Sequence, residues 1–192
     1  MDRVFFEECA KLGVENSRNT LAVLTGRELK VDWQITSCAD VVGLPMLSLH
    51  SDEIVLSSWV SFTGDMAGQL IVLFRPDSAS QVISFLAPKV LGSLDFVLNP
   101  DLEESIVSEV ANIVGCSFLD AIADRAGMII RPSPPLIIRE MAGAILESAA
   151  AVSYFDSGMV PVANVRFSLD GGEAVFEIAL LPGKGLNISS SC

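Results

Sequence analysis

Ser105, Glu109 and Asn112 have the types and spacing that could do chemistry together. Steps of four and three residues bring side chains to one face of a helix. At about 100° per residue the three fall within roughly a 60° arc. An amide donates and accepts hydrogen bonds at once. None of the three is a ready nucleophile. The plainer alternative is an ordinary solvated helix face, since such side chains are usually exposed. An asparagine inside a helix still asks for a reason, because its amide competes with the backbone.

Other chemistries have little to draw on. The chain has a single histidine, His50, so a triad or a multi-histidine metal site is not expected. Its four cysteines, Cys9, Cys38, Cys116 and Cys192, form no CxxC pair and suggest neither a zinc site nor a disulfide framework. Reduced thiols in a cytoplasmic protein are the expectation. No metal of its own is expected. The net charge of −12 argues against nucleic acid and against anionic membrane surfaces. No signal peptide or transmembrane segment is expected from the N-terminal or the apolar stretches. With 51% hydrophobic and 19% charged residues, a chain of 192 residues can bury a sizeable core.

The elements that must position the polar triplet can be read in order. Apolar residues at helical spacing predict a helix over about 2–25, stopped by Gly26. Alternation predicts a strand over Leu29–Ile35, then a loop over 36–52. Glu53–Phe62 and Gly68–Phe74 read as strands joined by a turn at Thr63-Gly64-Asp65, and Pro76-Asp77 opens a helix to about Leu91. The second half repeats the plan. A long helix over about 101–125 carries the triplet, with Ile106, Val110, Ile113 and Val114 as its core stripe, and ends at Gly127. Strand-like Met128–Ile130 and Leu136–Ile138 follow, then a helix over about 140–151. Strands at Val160–Leu169 and Ala174–Leu180 complete it. Placing Glu8 on Glu109 also brings Ala10 onto Ala111, Leu21 onto Ile122 and Gly26 onto Gly127. This suggests an internal duplication, with pseudo-repeats over about 1–95 and 100–185 of a single domain. Hairpin-joined strands with grouped helices give an α+β class. The expected architecture is a pair of helix-plus-hairpin units, with two long helices on one continuous sheet. Gly115 is read as permitting close helix packing, Trp33 and Trp59 as core, and Cys116 as an inert thiol.

The spacing Ser105-x3-Glu109-x2-Asn112-x22-Pro135, followed by SPPLIIREMAGAILE over Ser133–Glu147, resembles the signature of the CheC/CheX/FliY family of response-regulator phosphatases. The resemblance covers nearly the whole chain and is closest to CheC, since no flagellar-switch segment follows residue 185. It implies a pseudo-two-fold fold and an enzyme acting on phosphorylated CheY-like response regulators in chemotaxis. By the same resemblance Asn112 would orient the attacking water, Glu109 would hold a basic residue of the regulator, and Ser105 and Pro135 would shape the site. Any Mg²⁺ would be the regulator's. The first half keeps Glu8 but has Lys11 at the asparagine position, Val4 at the serine position and Gln34 at the proline position. One active site is therefore implied, instead of the two typical of CheC. The alternative within the same resemblance is a non-catalytic adaptor. It would bind the receptor deamidase CheD through Glu140, Ala144 and Glu147 on the small-residue helix, or sequester phosphorylated regulator.

Overall fold

A computed structural model describes residues 3–40, 52–91, 100–152, 159–169 and 172–183. His50, Cys192, the connection 92–99, most of the expected loop 36–52 and the turn residues 170–171 lie outside the described residues, as does the side chain of Cys38. The elements run α1 (Arg3–Thr25), β1 (Lys30–Asp40), β2 (Ile54–Gly64), β3 (Gly68–Phe74), α2 (Pro76–Leu91) and α3 (Pro100–Ala126). They continue as β4 (Ile130–Pro132), β5 (Leu136–Met141), α4 (Ala142–Val152), β6 (Met159–Leu169) and β7 (Gly172–Pro182).

The strands form one antiparallel sheet in the order β1-β6-β7-β3-β2-β4, with β5 also on β2. The order is unchanged when β1, β2 and β3 trade places with β4/β5, β6 and β7. Each half's first strand therefore pairs with the hairpin of the other half: β1 lies on β6, and β4 and β5 lie on β2. The centre is the β3–β7 ladder, from Gly68↔Pro182 to Phe74↔Phe176. Side chains alternate across a strand. One sheet face gives Leu56, Val60, Phe62, Leu70, Val72, Phe74, Phe176, Ile178 and Leu180 to the main core beneath α1, α2 and α3. The opposite face gives Val55, Ile71, Leu73, Ala179 and Leu181 to a smaller core under α4. Phe176 anchors the main core between Phe74 and Phe167, with ring centroids 5.4 and 5.1 Å away.

α1 and α3 pack against one another over the sheet. Phe6 of α1 meets Phe118 of α3 at 5.5 Å between ring centroids. Gly13 makes the close crossing possible: a Cβ there would lie 2.8 Å from the Phe118 Cα. Both helices end alike. Gly26 and Gly127 take φ of 68° and 64°. There the Arg27 and Met128 amides donate to the carbonyls of Ala22 and Ala123, at 3.2 and 2.9 Å. Glycine serves because a Cβ disfavours this left-handed conformation.

The structure corrects four element boundaries. β1 continues past Ile35 to Asp40, because β6 supplies partners through Ala39↔Val160 and Asp40↔Met159 after a register irregularity. The strand expected at Met128–Ile130 starts at Ile130. Met128 spends its amide on the α3 cap, and Ile129 bonds the turn instead, donating to the Asp65 carboxylate and accepting from the Asp65 amide, each at 2.9 Å. β5 runs three residues beyond Ile138, held by Leu56↔Arg139, Val55↔Glu140 and Ile54↔Met141. The helix expected from Glu140 consequently begins at Ala142, whose amide donates to the Glu53 carbonyl at 2.9 Å. Trp33 and Trp59 are half-buried at the margins of the two cores.

The helix crossing makes a testable distinction between two glycines. Gly13→Ala should destabilise by about 1–3 kcal/mol, because backbone of α3 stands in the way. At Gly115 the nearest atom to an added Cβ is the end of the Leu70 side chain at 3.3 Å. Gly115→Ala should therefore stay within about 1 kcal/mol of wild type, helped by helix propensity. Denaturant unfolding of both variants checks this.

Candidate functional site

α3 is amphipathic in a restricted sense: nearly everything except one edge is covered. Ile106, Val107, Val110, Ala111, Val114, Phe118, Leu119 and Ile122 are buried, and Ile113 is half-buried at the margin. Gly115 is also buried, against Leu70 and Val60 of the sheet. α3 is the one helix among the described residues long and apolar enough to cross a membrane, and its apolar surface is spent on α1 and the sheet. The uncovered edge carries Ser105 and Glu109, both exposed, and Asn112, half-buried.

Each residue of the triplet has a distinct bonding state. The Ser105 hydroxyl donates to the Asp101 carbonyl one turn back, at 2.8 Å. That bond ties the hydroxyl to its own helix. Glu109 forms no ion pair among the described residues. The Asn112 Oδ1 accepts only a long contact from the Cys116 thiol, 3.5 Å away. Its Nδ2 has no partner among the described residues. A thiol is a weak donor, so this contact biases the amide's orientation without satisfying it. Burial pushes the Cys116 thiol up, assisted by Asp120 and Glu109. It therefore stays protonated and a poor nucleophile near neutral pH.

Pro135 reaches this edge through β5. Arg139 donates from Nη2 to Glu103 Oε2 at 2.7 Å, pinning β5 to the first turns of α3. Ile137, two residues earlier, packs into the main core on the same side. Pro135 immediately precedes β5 and is half-buried. Pro134 and Pro135, between β4 and β5, cannot donate to the ladder. Ser133 fills the gap: its amide donates to the Ser61 carbonyl at 2.7 Å, and its Oγ accepts from the Ser61 amide at 3.2 Å.

The corresponding edge of α1 is different. Glu8 is exposed but engaged: Arg125 of α3 donates to its Oε2 from Nε at 2.9 Å and from Nη2 at 2.5 Å. Lys11 is exposed one turn further on. Neither Arg125 nor Arg139 stood out in the sequence as a site residue. Their i-to-j separations carry no periodic signal, and only the fold joins them to Glu8 and Glu103. Cys9, beside this pair, is fully buried, and burial raises its pKa from 9.0 to about 11, with Arg125 opposing and Glu8 assisting.

The residues expected on the small-residue helix are separated by the structure. Glu140 belongs to β5, where its carboxylate accepts from the Met141 amide at 2.9 Å. Ala144 and Glu147 are on α4, half-buried and exposed respectively. The Gly64–Gly68 stretch is a β2–β3 turn, with Gly64 at φ 129°. No metal-binding cluster of His, Cys, Asp or Glu occurs among the described residues.

A duplicated α+β fold with paired helices over one curled antiparallel sheet, and a polar edge on the second helix, defines a recognisable class. Residues 102–139, from the start of α3 into β5, match the CheC-like family. The chain is 26% identical over 144 residues to the CheY-P phosphatase CheC of Bacillus subtilis, a match covering 72% of this chain and 66% of that protein. The fold is similar to that of Thermotoga maritima FliY: 15% identity, TM-score 0.62, covering 91% of this chain and 86% of that one. It is also similar to a chain of the CheX–CheY–BeF3–Mg²⁺ complex from Borrelia burgdorferi: 16% identity, TM-score 0.50, covering 91% and 97%. The chain is thus similar to CheC-like proteins, in sequence over residues 102–139 and in fold over 91% of its length.

Two outcomes test the positioning contacts. Arg139→Ala should speed hydrogen exchange of the β5 amides while leaving the β3–β7 ladder protected, as read by mass spectrometry. The raised Cys9 pKa means the folded state holds its proton more tightly than the unfolded state. Its contribution to stability is complete below pH 9 and is lost as pH rises through about 11. Cys9→Ala should flatten that part of the stability–pH curve.

Proposed function

We propose that this protein accelerates hydrolysis of the aspartyl phosphate on a CheY-like response regulator in chemotaxis signalling, working through the outer edge of α3. The observation that carries the reading is Asn112. Its amide is half-buried, and it stands beside the Glu109 carboxylate; among the described residues its Nδ2 has no hydrogen-bond partner and Glu109 no ion pair. A buried amide satisfied inside the fold would serve stability; this one is available to a partner. The likeness to a protein named as a CheY-P phosphatase, and to a fold seen in a complex with CheY, supports the same reading.

In this reading Glu109 holds a basic group of the regulator, and Asn112 enters beside the phosphoryl group. Its Oδ1 and Nδ2 orient a water in line with the scissile bond. Phosphoryl transfer asks mainly for positioning and charge neutralisation, so a helper with no nucleophile can still act. Mg²⁺, bound by the regulator, would neutralise charge on the phosphoryl oxygens. Ser105, tied to its own helix, and Pro135, just before β5, shape the rim. The chain acts as one cytoplasmic domain built of two pseudo-repeats, only the second of which carries the chemistry.

A second reading is an adaptor that binds CheD. Ala144, Glu147 and Ala151 share one accessible side of α4, where small side chains allow close approach.

The decisive measurement is decay of phosphorylated regulator with and without the protein. Wild type should accelerate it. Asn112→Ala should lose roughly tenfold to a hundredfold of that acceleration with regulator binding retained. Glu109→Ala should weaken binding, so that high concentrations recover part of the rate. Equal decay with and without wild type would falsify the phosphatase reading. CheD capture without any turnover would instead support the adaptor.

A further inference from the structure

Resting on the regulator-phosphatase reading, we infer that Arg125 is a specificity-determining residue: it holds Glu8 and cancels the negative charge that would otherwise draw the regulator to the α1 edge as it is drawn to the α3 edge. The substitution of asparagine by Lys11 is then only half of why the first helix is silent.

The register between the helices can be checked in three dimensions. The Arg27-to-Ala22 cap on α1 and the Met128-to-Ala123 cap on α3 fall at equivalent positions when Glu8 is placed on Glu109. Burial agrees with the same register: Cys9 and Val110, Ala10 and Ala111, and Leu21 and Ile122 are all buried, whereas Glu8 and Glu109 are both exposed. In that register the equivalent of Arg125 is Leu24, a half-buried residue packed on the main core.

The helices are antiparallel. Phe6 meets Phe118 near one end, while Leu21 and Val110 line one apolar hollow near the other. The C-terminal part of each helix therefore stands beside the acidic residue of its partner. At Glu8 that part supplies a guanidinium; its register equivalent at the other end is the apolar Leu24. The two edges consequently differ in charge. Glu8, Lys11, Glu15 and Arg125 together are neutral, whereas Glu109, Asn112, Cys116 and Leu24 are net negative by one. A basic group on an approaching regulator is drawn to the second edge and not to the first, over a range of about 8 Å at physiological ionic strength. Glu8 is also engaged, because its Oε2 accepts two hydrogen bonds from Arg125.

Arg125 and Glu8 are both about half exposed, with side-chain exposures of 52% and 48%, so the pair can be removed without opening the core. The test is the binding stoichiometry of the beryllofluoride-activated CheY-like regulator that the wild type dephosphorylates, measured by titration calorimetry. Wild type and Lys11→Asn should each bind one regulator per chain. Lys11→Asn combined with Arg125→Leu should bind two. Lys11→Asn combined with Arg125→Lys, which keeps the charge, should return to one. Thermal melting should be nearly unchanged across the set. Two regulators on Lys11→Asn alone, two on the Arg125→Lys combination, or one on the Arg125→Leu combination overturns the role given to Arg125 while leaving the α3 reading intact. A wild type that binds no regulator defeats the parent reading and this inference with it.

Discussion

The close crossing of α1 and α3 is the constraint on which the rest of the structure depends. Gly13 lets the α3 backbone approach at Phe118, and Gly115, one turn earlier on α3, settles onto Leu70 and Val60 of the sheet. Two glycines on different helices thus fix both the height and the rotation of α3. Once the rotation is fixed, the large apolar residues of the helix are spent on α1 and on the sheet. The strip left over is the one bearing Ser105, Glu109 and Asn112. Rotating α3 by one residue, about 100°, would bury the carboxylate and expose valines. Helix packing is therefore what makes an otherwise ordinary polar face available to a partner.

The sheet supplies the second half of the positioning. β4 and β5 are not strands of their own repeat's hairpin; they are added to β2 of the other half, as β1 is added to β6. Each long helix is followed by a strand that crosses to the opposite hairpin, which locks the halves together. For the candidate site the consequence is direct. The same crossing strand that completes the sheet edge also carries Pro135 and Arg139 past the open side of α3, and the Glu103–Arg139 pair holds it there.

Duplication gave the chain two equivalent helix edges, and sequence divergence has treated them differently. The first retains an acidic residue and the helix-capping geometry, but its acid is engaged by Arg125. The second retains an acid without an ion-pair partner among the described residues and an amide with an unpartnered nitrogen. Stability accounts for little of the first, where Glu8–Arg125 is a half-exposed pair between packed helices. It does not explain the second, where a half-buried Asn112 has only a weak thiol contact to justify its place.

Much of this was legible in the sequence. Apolar spacing marked α1 and α3, Pro76-Asp77 marked the start of α2, glycine marked the ends of the two long helices, and alternation marked the hairpin strands. The spacing of Ser105, Glu109, Asn112 and Pro135 marked the candidate site. Apart from the 22-residue gap to Pro135, which only the family resemblance linked to the triplet, these signals are local: each depends on residues within a turn or two of helix or a few strand positions of one another. What only the tertiary structure decided is non-local. The extension of β1 to Asp40 depends on β6. The late start of β4 depends on Asp65, and the assignment of Glu140 to β5 depends on β2. The partners of Glu8 and Glu103 depend on which helix and strand happen to face them. A strand edge or a surface carboxylate has the same local sequence whether or not a partner arrives, because the free energy that selects the partner comes from packing of the sheet and helices as a whole.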